Sequence, residues 1–144
     1  MPKKPRILFV CTGNSARSQM AEGFARYYGG RSIQSESAGT NPSGLNPNAV
    51  WAMREVGIDI SSQTSDPLNS KNLDTFDYVV TLCGEATESC PVFPSHTQRE
   101  HWPLPDPAKI PGNPAEAIKG FRVIRYQIEG RVRDLLRRIE GTPH

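Results

Sequence analysis

The chain has no run of about 18 apolar residues, so no segment reads as a membrane span. Charge of one sign is also lacking. The 17 basic residues nearly balance the 15 acidic ones, for a net charge of +2. That is too mild to point to nucleic acid or an anionic membrane surface as a partner. Met1 to Arg6 is basic, but no apolar core or cleavage site follows it, so a secretory signal is not expected and cytoplasm is. There are only three cysteines. Three cannot all pair, and structural disulfides are rare in that compartment, which excludes a disulfide framework and leaves catalytic or redox thiols. Neither an internal repeat nor an inter-domain linker is present. At 144 residues the chain is expected to be one domain, 1–144, large enough to bury a core.

What is present is Cys11-Thr12-Gly13-Asn14-Ser15-Ala16-Arg17-Ser18. This run follows a strand-like stretch and precedes a helix-like one. A loop there gathers backbone N–H groups in front of a helix N-terminus, and both favour an anion. Gly13 is expected to supply the unusual backbone angles of a tight cradle. Arg17 adds a forked donor that matches a tetrahedral oxyanion. Cys11 shares this positive field, which favours an exposed thiolate nucleophile. Covalent chemistry on a phosphate-like substrate follows. The competing reading of Cys11 is a small buried apolar residue ending a strand.

Arg6 to Val10 reads as a buried strand. Met20, Ala21, Phe24, Ala25 and Tyr28 recur at helical spacing up to Gly29-Gly30. Ser32 to Ser37 is a second strand. Asn46-Pro47 caps a helix whose apolar face is Ala49, Val50, Met53 and Val56, closed by Gly57. Phe76 to Leu82 is a central strand, and Thr97 to Trp102 a fourth. Asn113-Pro114-Ala115-Glu116 opens a long helix marked by Ile118, Phe121, Ile124, Ile128, Val132, Leu135, Leu136 and Ile139. Ser61 to Lys71 and the proline-rich stretch Pro103 to Gly112 read as loops. Strands alternating with helices predict an α/β domain with a four-stranded parallel sheet covered on both faces. A ligand would then lie beyond the carboxyl ends of the strands. Cys11 and Cys83 should both face that edge.

Cys83 and Cys90 bracket a small, polar run. On a helix their sulfurs would stand roughly 10 Å apart along the axis. A disulfide needs alpha carbons within about 7 Å, so bonding them would require the segment to unwind. Three readings stay open at this point: packed core residues, a redox pair, or a zinc set with His96 and His101. The cysteine spacing is wider than that of a usual zinc site.

The loop from Cys11 to Gly23 resembles the active-site loop of the thioredoxin-coupled arsenate reductases, which share the fold of the low-molecular-weight protein tyrosine phosphatases. Matching stretches include Ser37-Ala38-Gly39, Asn46-Pro47-Asn48-Ala49, Gln63-Thr64-Ser65-Asp66, Val79-Val80-Thr81-Leu82-Cys83-Gly84, Glu100-His101-Trp102 and Asp106-Pro107-Ala108. The resemblance implies a three-layer α/β/α fold and an oxyanion site built from Thr12, Gly13, Asn14, Ser15, Ala16, Arg17 and Ser18. It also implies that Cys11 attacks arsenate, that Asp106 is the general acid, and that Cys83 and then Cys90 carry a disulfide outward to thioredoxin. Ser18 would hydrogen-bond the Cys11 thiolate, and Asn14 would brace the loop. Phosphate and sulfate would compete with arsenate, and a weak phosphatase activity would remain. Some members have a monovalent cation site, here matched by Asn14, Glu22, Ser37 and Asp66 as a potassium site. No tightly bound cofactor and a monomeric state are otherwise expected. The alternative is a low-molecular-weight protein tyrosine phosphatase. That pattern carries proline after the loop serine and aromatic residues near the acid, whereas Gln19 follows Ser18 and Asp106 lies between Pro105 and Pro107. The chain also departs from many family loops in having Ala16 where a second cysteine is common, and in having Pro103 after the His-Trp pair.

Overall fold

The computed structural model describes residues 4–82, 97–109 and 112–140. Four strands, β1 (Arg6–Cys11), β2 (Gln34–Gly39), β3 (Tyr78–Thr81) and β4 (Gln98–His101), form one sheet in the order β2-β1-β3-β4. All neighbouring pairs are parallel. The helices are α1 (Arg17–Gly29), α2 (Pro47–Arg54) and α3 (Pro114–Glu140).

Side chains alternate across the sheet, as a pleated strand requires. Ile7, Phe9 and Cys11 of β1 point to the face where α1, α2 and α3 pack. Leu8 and Val10 point to the other face and join Ala38, Val79 and Phe76, with Leu68 and Leu73 from short 3-10 turns laid over them. The predicted parallel sheet with both faces covered is therefore present. Among the described residues the second cover is made of turns rather than helix.

Local chemistry sets most helix ends. The Asn46 side chain accepts the Asn48 N–H at 2.8 Å with Pro47 in the first turn, which starts α2. Asn113 does the same for Glu116 at 2.9 Å ahead of α3. Phe121, Ile124, Ile128, Val132, Leu135, Leu136 and Ile139 form the buried stripe of α3, as their spacing predicts, while Ile118 is only half-buried.

Three expectations shift. Tyr28 leaves the core face of α1; it packs edge-on against Tyr27 and its hydroxyl donates to Glu129 on α3. Val56 is exposed because α2 ends at Arg54, two residues before it, and the chain turns away through Gly57, at φ +82°, directly after it. The second strand runs 34–39 rather than 32–37, because Gly30 takes φ +53° and residues 30–32 close a 3-10 turn first. This register sets Gly39 beside Cys11. No helix among the described residues is long and apolar enough to cross a membrane.

Glu55 fastens α2 to α3 by accepting from Arg122 at 2.8 Å and Arg125 at 2.8 Å. The Arg122 hydrogen bond leads the causes that hold its carboxyl down at about 2, against an ordinary 4.5. A depressed carboxyl stabilises the fold above its unfolded pKa and stops doing so as pH falls through its folded one. The stability advantage of the wild type over Glu55→Gln is therefore expected to shrink steadily between pH 5 and pH 2 in urea titrations, values that follow from the ordinary and depressed pKa. A gap constant over that interval would contradict the pairing.

Candidate active site

Cys11 closes β1 and Arg17 opens α1, so residues 12–16 make the whole connection. The carbonyls of Thr12, Gly13 and Ser15 accept backbone N–H groups of Asn41 (2.8 Å), Ser43 (2.9 Å) and Asn46 (2.9 Å). Those carbonyls are thus turned outward onto the 41–46 segment. A trans peptide is planar, with its N–H opposite its carbonyl. The amides of Gly13, Asn14 and Ala16 therefore point inward, toward the N-terminal end of α1. Ala16 is the N-cap and offers no side-chain acceptor there. This is an anion cradle.

The left-handed residue of the loop is Asn14, at φ +44°. Gly13, expected to supply the unusual angle, does not carry it. A Cβ at 13 would lie 2.8 Å from the hydroxyl of the exposed Ser43, a side chain that can turn aside. Asn14 is held on every side. Its Nδ2 donates to Ser18 Oγ at 2.7 Å, its Oδ1 accepts the Asp66 N–H at 2.8 Å, and its carbonyl accepts Gln19 Nε2 at 2.9 Å. Gln19 is in turn gripped by Gln63, which donates to its carbonyl and its side chain at 3.0 and 2.8 Å.

Cys11 Sγ lies 2.9 Å from Ser18 Oγ. Asn14 donates to that same oxygen, which keeps the Ser18 hydroxyl proton available as a donor to the sulfur. Cys11 is 2% exposed, so the sulfur sits at the floor of the cradle rather than on the surface as expected.

Arg17 is also 2% exposed, although its group is charged. Its Nη1 donates to the carbonyls of Leu82 (2.9 Å) and Leu104 (3.0 Å), and its Nη2 is 3.7 Å from Asp106 Oδ2. Asp106 Oδ1 accepts the Ala108 N–H at 3.0 Å, which fixes the carboxyl in the turn after β4. An open cleft of about 440 Å³ is lined by Thr12, Gly13, Ser15, Asn41, Ser43 and Asp106, among others. Cys11, the cradle, Arg17, Ser18 and Asp106 are thus brought together. Cys83, Cys90 and His96 lie outside the described residues, and Leu82 is the residue before Cys83. His101 Nδ1 is paired with Thr81 Oγ1 at 2.7 Å.

The set expected to hold potassium forms two pairs. Glu22 Oε1 accepts from Ser37 at 2.6 Å and its other oxygen pairs with Arg26, while Asn14 meets Asp66 through the backbone bond above. The second Asp66 oxygen, Oδ2, takes Lys71 Nζ at 3.1 Å. Burial pushes the Glu22 carboxyl up despite Ser37 and Arg26. As placed, these residues do not fit a potassium ion, since each carboxylate already has an internal cation. No cluster of three or more His, Cys, Asp or Glu poised for a metal occurs among the described residues.

Sequence reading missed Gln19, Gln63 and Gly39 as parts of the site. Gln63 stands in a recognised motif, but its partner Gln19 is 44 positions away, and only the fold joins them.

A family model described as low molecular weight phosphotyrosine protein phosphatase matches residues 6–142. The chain is 52% identical to the arsenate reductase of Bacillus subtilis over 128 residues, 89% of this chain and 92% of that protein. Its structure is similar to that of an arsenate reductase in the phosphate binding state, with TM-score 0.81 and 41% identity, covering 94% of this chain and 98% of the other. It is also similar to a thioredoxin-dependent arsenate reductase of Corynebacterium glutamicum, with TM-score 0.74 and 29% identity, covering 95% of this chain and 62% of that one.

A Cβ on Gly39 would stand 2.6 Å from the Thr12 carbonyl and 2.8 Å from the Asn14 nitrogen, both backbone. Gly39→Ala is expected to cost about 1–3 kcal/mol, read by urea unfolding, because the backbone cannot yield as a side chain does. A change below about 0.5 kcal/mol would mean that the cradle does not rest on this close approach.

Proposed function

The chain belongs to the low molecular weight phosphotyrosine protein phosphatase family, and within it we propose an arsenate reductase that passes electrons from thioredoxin through Cys90 and Cys83 to Cys11. The observation that carries this reading is the Ser18 hydroxyl, 2.9 Å from Cys11 Sγ at the floor of an anion cradle that shares a cleft with Asp106. The sequence identity to arsenate reductases over most of the chain supports the substrate.

In this mechanism the inward amides and Arg17 hold three arsenate oxygens. Cys11 Sγ attacks arsenic, forming a sulfur–arsenic bond. Asp106 protonates the departing oxygen, which leaves as water. Cys83 then attacks Cys11 Sγ. The sulfur–arsenic bond breaks and its electron pair stays on arsenic, which falls from the +5 to the +3 state as arsenite, while the two sulfurs are oxidised to a disulfide. Cys90 attacks Cys83, frees Cys11, and presents a Cys83–Cys90 disulfide for thioredoxin to reduce. The balance is one arsenate and two thiols giving arsenite, water and one disulfide.

Phosphate fits the same cradle, because the two oxyanions have the same shape and charge, so phosphate competes and phosphate esters turn over weakly. A phosphotyrosine enzyme needs a wall for the phenyl ring. The cleft has no aromatic side chain among its described lining residues, where Leu45 and Pro47 are its largest apolar ones.

With arsenate, thioredoxin, thioredoxin reductase and NADPH, Cys11→Ser, Cys83→Ser and Cys90→Ser are each expected to drop NADPH consumption to background. Turnover indifferent to the last two replacements would remove the relay. Asp106→Asn should slow the first chemical step by about 10²–10⁴-fold, as loss of a general acid does, with arsenate binding little changed. Equal single-turnover rates in Asp106→Asn and wild type would assign the proton to another donor.

A further inference from the structure

Lys71 follows the 3-10 turn at Leu68–Ser70 and faces inward, its side chain only 13% exposed. Its Nζ donates to Glu36 Oε1 at 2.9 Å and to Asp66 Oδ2 at 3.1 Å. Asp66 is a structural neighbour of the loop: its N–H holds Asn14 Oδ1 at 2.8 Å and its carbonyl accepts the Gly39 N–H at 2.9 Å. From Asn14 the contacts continue to Ser18 Oγ at 2.7 Å and from there to Cys11 Sγ at 2.9 Å. A half-buried ammonium is thus joined to the sulfur through Asp66, Asn14 and Ser18.

We propose that Lys71 is a positioning residue for the oxyanion loop, a cation built into the chain that holds Asp66, and through it the left-handed Asn14, in the form that binds a tetrahedral dianion. The inference rests on the reading of residues 11–18 as an oxyanion site. Three carboxylates, Glu22, Glu36 and Asp66, stand on this side of the loop. Arg26 serves Glu22, and Arg6 serves Glu36 at 2.7 Å. Asp66 has Lys71 as its ion-pair partner. Lys71 also acts on Glu22 through space. Without the ammonium, Asp66 and Glu36 repel, and a net negative charge lies behind a loop whose task is to attract one. The same nitrogen explains why the expected potassium set is satisfied internally.

The pKa of Lys71 agrees with this geometry. Burial acts to lower it, but the bonds from Glu36 and Asp66 outweigh that and raise it, so the ammonium stays charged.

The test uses inorganic phosphate, which protects Cys11 from iodoacetamide, followed by mass spectrometry of the Cys11 peptide. Lys71→Met is expected to weaken phosphate protection about tenfold, the order expected on losing a hydrogen bond to a charged group. Lys71→Arg should bind phosphate within about threefold of wild type, because charge rather than shape is required. Exchanging potassium for choline at constant ionic strength should leave the wild type unchanged. Phosphate affinity in Lys71→Met equal to wild type, even with a lowered Tm, would overturn the proposal, since a merely structural brace moves Tm alone. Potassium-dependent protection in the wild type would overturn it as well. If Lys71→Met does not fold, Lys71→Gln carries the same expectation. Absence of phosphate protection in the wild type is a separate outcome, and it would remove the oxyanion reading itself.

Discussion

The outward turn of three carbonyls governs this site. Thr12, Gly13 and Ser15 spend their acceptors on the 41–46 segment, and peptide planarity then commits the intervening amides to the opposite side. The amide donors on that side are therefore groups that cannot rotate away. The cost is concentrated in one residue, Asn14, whose positive φ is tolerated because three hydrogen bonds surround it. Ser18 receives one of these bonds and lies 2.9 Å from the Cys11 sulfur, so the shape of the backbone and the setting of the thiol share a single oxygen.

The sheet order makes that location available. The chain moves outward from β1 to β2 and then crosses back to β3 on the other side of β1, so the connections diverge at the carboxyl end of β1. Such a divergence leaves a crevice that side chains do not fill. The loop 12–16 drops into it, Gly39 at the end of β2 gives it room, and Leu82 at the end of β3 anchors Arg17.

Much of this was legible in the sequence because it is local. The Cys11–Ser18 run, the Asn46 and Asn113 caps and the α3 stripe each depend on residues a few positions apart. The elements that slipped were those decided at a distance. Tyr28 has helical spacing but is drawn to Glu129, 101 positions on. Gly13 looked like the strained residue because glycine usually is, yet the tether from Asp66, 52 positions away, lets asparagine take that conformation. The cation set was read as a group of ligands, and composition alone could not tell that Lys71 and Arg26 would reach those carboxylates first.

Arg17 ties together three stretches of chain. It starts α1, its Nη1 seizes Leu82 next to Cys83, and the same nitrogen seizes Leu104 two residues ahead of Asp106. Architecture and chemistry are fused at that one guanidinium. An experimenter who removes it cannot separate a lost ligand contact from a displaced thiol segment or a drifting acid, so deadness at position 17 would be uninterpretable by itself. Dissection of this enzyme is cleaner from the periphery, where each tether can be cut alone.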